Sequence, residues 1–232
     1  MTASTEFEGF PAETIRFLGE LAGNNNRPWF NENKHRYEQW VLEPALDFIG
    51  AMGPRLERVT PHFTAIPRRV GGSLMRVYRD TRFSRDKTPY KTNIGIQFRH
   101  ELGKDVHAPG FYVHIDPDSC FLGVGMWHPG SGPLGMIRDR IVEDPDAWRA
   151  ARDDGDFRRR FELSGDSLKR APRGYPPEHP YLVDLKRKDF IAVTEFGFDA
   201  ATDAGFADRV AVDFAAAKPF MAFLCEALQL RF

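Results

Sequence analysis

A single α+β domain, with a mainly antiparallel central sheet and N-terminal and C-terminal helices packed on it, is the fold class this sequence predicts. Three observations carry that expectation. Apolar residues recur at helical spacing at both ends of the chain, they alternate with polar ones in its middle, and no repeat, low-complexity stretch or linker divides the 232 residues. Hydrophobic content of 42% and 20 Phe residues are enough for one sizeable core, so the domain is expected to run over residues 1–232.

The elements follow in order. "FPAETIRFLGELAG" reads as a helix: Pro11 suits its start, Ile15, Leu18 and Leu21 share a face, and Gly23 offers a stop. After the turn "NNN", the stretch "RPWFNENKHRYEQWVLEPALDFIGAMGPRL" is helical again, and Pro44 is expected to kink or divide it. The three asparagines fit turn and helix-capping geometry, with Trp29 and Phe30 anchoring the next helix; a role of Asn24, Asn25, Asn26, Arg27 and Lys34 in holding a ligand is the alternative.

The period then changes. Ile94, Ile96 and Phe98 alternate with Gly95, Gln97 and Arg99, and Phe111, Val113 and Ile115 alternate with Tyr112, His114 and Asp116, as half-buried strands do. "DPDS" supplies a turn and "CFLGVGMW" a returning strand, so 110–127 is expected to be a hairpin in a sheet that also includes 75–79 and 92–100. Leu134, Ile137, Ile141 and Trp148 restore helical spacing, broken near Pro145; "FIAVTEFG" is one more strand, and the closing helical region breaks near Pro219.

No apolar run has the length a bilayer demands, and "MTASTEFEGFPAET" has neither the basic start nor the apolar core of a secretion signal, so a soluble cytoplasmic protein is expected. Cys120 and Cys225 have no metal or redox spacing and are expected to be buried thiols. No metal ligand set stands out, no cofactor is assigned, and oligomeric state is left open. A net charge of −1 argues against a protein that coats nucleic acid over its whole surface.

That near-neutral total hides an uneven distribution. Between Pro67 and Arg99, the cations Arg68, Arg69, Arg76, Arg79, Arg82, Arg85, Lys87, Lys91 and Arg99 face only Asp80 and Asp86. Two like charges about 4 Å apart at a partly screened site repel by roughly 4 kcal/mol, so several of these cations share a pocket only with counter-charge. It comes either from acids elsewhere, such as Asp184, Asp189 or Glu195, or from a bound anion. Were 75–83 extended, Arg76, Tyr78, Asp80 and Arg82 would share one face and Val77, Arg79, Thr81 and Phe83 the other. Pro89 then fixes a loop that presents Lys87, Tyr90 and Lys91.

Arg76, Arg79, Asp80, Arg82, Phe83, Asp86, Lys87, Pro89, Tyr90, Lys91 and Asn93 stand at the spacing R-x-x-R-D-x-R-F-x-x-D-K-x-P-Y-K-x-N. That pattern resembles the defining motif of a family of uncharacterised bacterial and fungal proteins, conserved hypothetical proteins with a domain of unknown function. The likeness extends over the chain through "NNNRPWFNENKHRY", "GVGMWHP" and "LKRAPRGYPPEHPYLVDLKRKDF". It implies membership and brings no catalytic assignment with it.

Three functions remain in competition. The first is a cationic cleft for a phosphate- or carboxylate-bearing small molecule, with or without a reaction. Its ligand-binding candidates are Arg76, Arg79, Arg82, Lys87, Tyr90 and Lys91, joined by Lys169, Arg173 and Lys186 from the long basic loop that also carries Tyr175, His179 and Tyr181. Asp80, Asp86, His114 and His179 are its acid–base candidates. The second is a nucleic-acid or protein-interaction module using a basic strip with Tyr78, Tyr90, Tyr175 and Trp127. The third is a structural ion-pair network. "GVGMWHPGSGPLG" is rich in glycine but carries neither nucleotide-loop pattern, and no nucleophile elbow is present.

Overall fold

The computed structural model describes residues 7–103 and 108–232. Helix α1 (Ala12–Gly23) follows Pro11 and buries Thr14, Phe17, Leu18 and Leu21, one stripe at i, i+3, i+4 and i+7. Asn26 caps α2 (Arg27–Glu32) by accepting from Trp29 N–H at 3.0 Å, as its sequence suggests. Then come α3 (Lys34–Tyr37), a π-helical turn (Glu38–Leu42) and α4 (Glu43–Val59).

Pro44 explains that π turn. Proline has no N–H to give the carbonyl four residues back, which is that of Trp40, and the helix widens just before it. Trp40 O is not left orphaned, because the Thr14 hydroxyl of α1 donates to it at 2.5 Å. The expected division at Pro44 thus doubles as a link between two helices.

Six strands form one antiparallel sheet in the order β1-β2-β3-β4-β6-β5: β1 (Phe63–Thr64), β2 (Ile94–His100), β3 (Gly110–Ile115), β4 (Cys120–Met126), β5 (Glu162–Ser164) and β6 (Phe190–Glu195). Between them run α5 (Ser131–Glu143), α6 (Pro145–Arg152), α7 (Gly155–Arg160) and α8 (Leu182–Leu185). The chain closes with α9 (Phe198–Ala201), α10 (Phe206–Ala216) and α11 (Lys218–Ala227), the last two divided next to Pro219. The hairpin over 110–127 is therefore present, and the α+β class holds.

The alternation read from the sequence assigns the faces. Ile94, Ile96, Phe98, Phe111, Val113, Ile115, Leu122, Val124 and Phe190 are buried. Phe98 and Phe111 meet Phe214 of α10, and Trp148 of α6 meets Phe190. The other face carries Gly95, Gln97, Tyr112, His114, Phe121, Gly123, Val193 and Glu195 in register, and Tyr112, His114 and Phe121 keep part of their surface open. Gly125 sits at φ +112°, where a Cβ would lie 2.0 Å from Phe190 O.

One expected strand is absent. Residues 75–79 do not extend the sheet: Leu74 bridges Ile96 and Met75 N–H donates to Gly95 O at 2.9 Å, after which the chain leaves β2. Tyr78 instead bridges Tyr90, folding the basic motif back on itself. Residues 1–6 and 104–107 of the expected domain lie outside the described residues.

Candidate functional site

The motif forms a loop closed at its base. Arg79 N–H donates to Pro89 O at 2.9 Å and Lys91 N–H to Val77 O at 2.7 Å, so Pro89, which has no donor, uses only its carbonyl. Asn25 fixes this base to the helices: its Oδ1 accepts from Tyr90 N–H at 3.0 Å and its Nδ2 donates to Tyr90 O at 2.9 Å. The Tyr90 ring stacks on Phe30 with centroids 4.0 Å apart. The asparagine run therefore both caps and clamps.

Within the loop, the two aspartates are committed. Asp86 accepts from Thr88 N–H at 2.9 Å, from the Thr88 hydroxyl and from Arg79 Nη1, and Arg79 also reaches the Thr88 hydroxyl. Asp80 accepts from Arg82 Nη2 at 2.7 Å, Arg82 Nε at 3.0 Å and Arg82 N–H at 3.2 Å. Arg82 thereby holds the Asp80 carboxyl down at about 2, and the Thr88 amide, followed by Arg79, does the same for Asp86. Carboxylates this acidic stay charged at neutral pH and are poor proton donors there.

Those pairs leave cations over. Lys87 Nζ donates to Thr81 O at 2.8 Å. Among the described residues, neither Arg76 nor Lys91 has an ion pair or a side-chain hydrogen bond. Burial, then the neighbouring charge of Arg76, lowers the Lys91 ammonium from its ordinary pKa. Lys91 lines a cleft of about 420 Å³ with Ala22, Asn25, Arg79, Asp86, Thr88, Tyr90, Thr92 and Asn93. Arg79 and Tyr90 also form one wall of a second cleft of about 400 Å³, shared with Arg27, Asn31, Tyr78, Thr81 and Pro89.

Of the residues expected to bind a ligand, then, Arg79, Tyr90 and Lys91 line the cleft and Arg76 lies beside Lys91. Tyr90 is only 3% exposed and acts as wall. Arg82 and Lys87 point into the loop's own bonds. Asn25, weighed from the sequence only as an alternative ligand contact, also lines the cleft, and Thr88, Thr92 and Asn93 are additions; Asn93 stood in the motif without an assigned role, and the spacing gave Thr88 no distinguishing signal.

The late basic loop is not brought to this cleft. Strand order separates them, because the motif leaves the β1–β2 side while the late loop joins β5 to β6 at the other end of the sheet. Leu168 N–H donates to Lys186 O at 2.7 Å and Tyr175 Oη to Asp139 at 2.6 Å, while Lys169 and Arg173 are exposed. His179 accepts Tyr181 N–H at 3.1 Å within its own turn. The acids considered as counter-charge are also engaged elsewhere or distant: Asp184 pairs with Arg152 at 2.7 Å, Asp189 accepts His128 N–H at 2.7 Å, and Glu195 lies on β6.

Of the acid–base candidates, Asp86 lines the cleft as a bonded carboxylate, and His114 adjoins it through Asn93. Its Nδ1 lies 3.1 Å from Tyr112 Oη and 3.4 Å from Asn93 Nδ2, and its ring stacks on Phe121. Burial lowers its pKa, with Asp116 opposing, and burial pushes Tyr112 up to about 12. Among the described residues no group of three His, Cys, Asp or Glu stands together as a metal site requires, and no helix is long and apolar enough to cross a membrane.

Comparison with known proteins adds one match. The family model described as conserved hypothetical protein (DUF2461) matches residues 13–223, nearly the whole chain. No curated protein and no solved structure matches it.

Proposed function

We propose that this protein, which belongs to the DUF2461 family of conserved hypothetical proteins, binds a phosphate- or carboxylate-bearing small molecule in the cleft around Lys91. One observation carries the reading. Among the described residues, Lys91 and Arg76 are neighbouring cations with no carboxylate at ion-pair distance: Asp86 is bonded by Arg79, and Asp80 is bonded by Arg82 and feels Arg76 only as a weaker, longer-range charge. A bound anion relieves that repulsion and gains charge-assisted hydrogen bonds. Thr88, Thr92 and Asn93 add neutral polar groups along the wall. The free, buried thiols of Cys120 and Cys225 support a reducing, cytoplasmic setting.

Thermal melting against a panel of phosphate- and carboxylate-bearing metabolites tests this reading. The expected result is a ligand-dependent rise in Tm that Arg76→Ala and Lys91→Ala each abolish. Unchanged melting across the panel counts against it.

A second reading rests on different atoms. Tyr78 is 53% exposed and Phe83 is 96% exposed among Arg76, Arg82 and Arg85, a surface of rings and cations that suits single-stranded nucleic acid. Its signature is binding that weakens steeply with salt and falls in Phe83→Ala, and absence of any mobility shift at low salt removes it. The pairs Arg79–Asp86 and Arg82–Asp80 support the third reading, a structural network, for part of the motif only.

A further inference from the structure

Asn93 joins the cleft to the open face of the sheet. The residue lines the cleft, and its amide nitrogen faces His114 Nδ1 at 3.4 Å, where Tyr112 Oη approaches to 3.1 Å. The contact pairs a donor with an acceptor when Nδ1 is bare and the neutral ring carries its proton on Nε2. Burial favours that neutral form.

Several groups surround the imidazole. Tyr112 and Asp116 lie on its own strand, Gly95 pairs with it from β2, and Phe121 pairs with it from β4. Beyond Phe121 on the same face is Glu195, and beyond Asn93 is Lys91. Burial disfavours the charged ring, and Asp116 favours it.

We propose that protonation of His114 tightens the cleft's hold on an anion by turning the side-chain amide of Asn93. This inference rests on the reading of the cleft as an anion site. A proton taken from water onto Nδ1 creates an N–H that faces the N–H of Asn93, donor against donor. A half-turn of the amide places Oδ1 against the new donor and moves Nδ2 towards the opposite side of the side chain. The Tyr112 hydroxyl rotates to accept. The cleft gains a donor from Asn93 and a positive charge behind it, and both favour an anion. By linkage, a bound anion raises the proton affinity of His114 by the same factor.

Sulfate is the probe, because it stays dianionic over the range and does not itself titrate. Its affinity for the full chain is measured by calorimetry from about pH 8 to about pH 5, across the ordinary histidine range. The expected result is tighter binding towards acid, by at most about tenfold per pH unit, the slope for one coupled proton. His114→Gln is expected to bind sulfate with no such slope. A wild-type affinity independent of pH, or a slope that survives in His114→Gln, overturns the proposal. Nitrogen-15 NMR of the ring gives an arm that needs no ligand: at about pH 8 the expected tautomer is Nε2–H. An Nδ1–H tautomer overturns the proposal while leaving the anion cleft standing. No sulfate heat at any pH, together with no melting shift from the metabolite panel, removes the cleft reading and this inference with it.

Discussion

The side-chain amide of Asn25 holds the backbone of Tyr90 in both directions, accepting from its N–H at 3.0 Å and donating to its carbonyl at 2.9 Å. One side chain thus replaces a neighbouring strand at the point where the motif loop returns to β2. Removing it leaves two backbone groups beside a buried ring without partners. Asn25→Ala is expected to lose about 2–3 kcal/mol in urea unfolding, since each unsatisfied group costs about 1–3 kcal/mol before water compensates. Asn25→Asp keeps the acceptor and loses the donor, and an intermediate loss is expected. A loss below about 0.5 kcal/mol in Asn25→Ala, the range of an ordinary surface substitution, would show that the clamp is not holding the loop.

Asp86 ties the loop together from inside. Its pKa is held at about 2, against an ordinary 3.8, chiefly by the Thr88 amide and then by Arg79. A carboxylate depressed in the folded state contributes stability above its unfolded pKa and loses it as pH falls through the folded value. The loop's closure is therefore expected to persist at neutral pH and fade only from about pH 4 down to about pH 2. The Thr88 amide proton reports it by NMR: its shift should titrate with a midpoint near 2. In Arg79→Ala the midpoint should rise part of the way, because the amide bond remains. A midpoint unchanged by Arg79→Ala removes the guanidinium from the account.

Local signals and long-range ones fared differently. The alternation of Ile94, Ile96 and Phe98 and of Phe111, Val113 and Ile115 fixes strands and their buried face, because each residue reports on its own neighbours. Pro44 and Pro219 likewise mark changes in helix at their own positions. The run 75–79 looked extended and became a turn-back, since the sequence shows neither where β2 ends its offer of partners nor that Tyr78 meets Tyr90. The Asn25–Tyr90 clamp spans 65 residues and leaves no periodicity to read. Charge is the least legible feature. Asp184 served Arg152 and Arg187 instead of the motif, and the late-loop cations lie at the other end of the sheet, because any cation suits any acid until topology decides.

Gly125 tests whether the sheet tolerates a side chain where β4 meets β6. At φ +112° an L-residue is strained, and an added Cβ would overlap Phe190 O, which belongs to backbone and cannot swing aside. Gly125→Ala is expected to cost at least about 3 kcal/mol, from strain and overpacking together. Gly19→Ala, in α1 with nothing within 4 Å of its Cβ, is the control and should be neutral or slightly stabilising. Equal melting temperatures for the two variants would contradict the geometry.

Lys91 separates a cation kept for a ligand from one kept for the fold. Its pKa is lowered by burial and by Arg76, so the folded state disfavours its charge. For a lysine with a depressed folded pKa, the unfolded chain binds the proton more tightly, and stability rises with pH from the folded value up to the unfolded one near 10.5. Lys91→Met keeps most of the stem and removes the charge. Without ligand, the variant is expected to melt no lower than wild type near pH 7, and to lose the wild type's relative gain in stability on the alkaline side. A favourable structural contact would give the opposite sign, with Tm falling by about 2–4 °C per kcal/mol lost in a chain of this size. Melting of both proteins at neutral and alkaline pH, in buffer free of phosphate and sulfate, reads the sign directly. A lower Tm for Lys91→Met at pH 7 would return Lys91 to the structural network and remove it from the anion site.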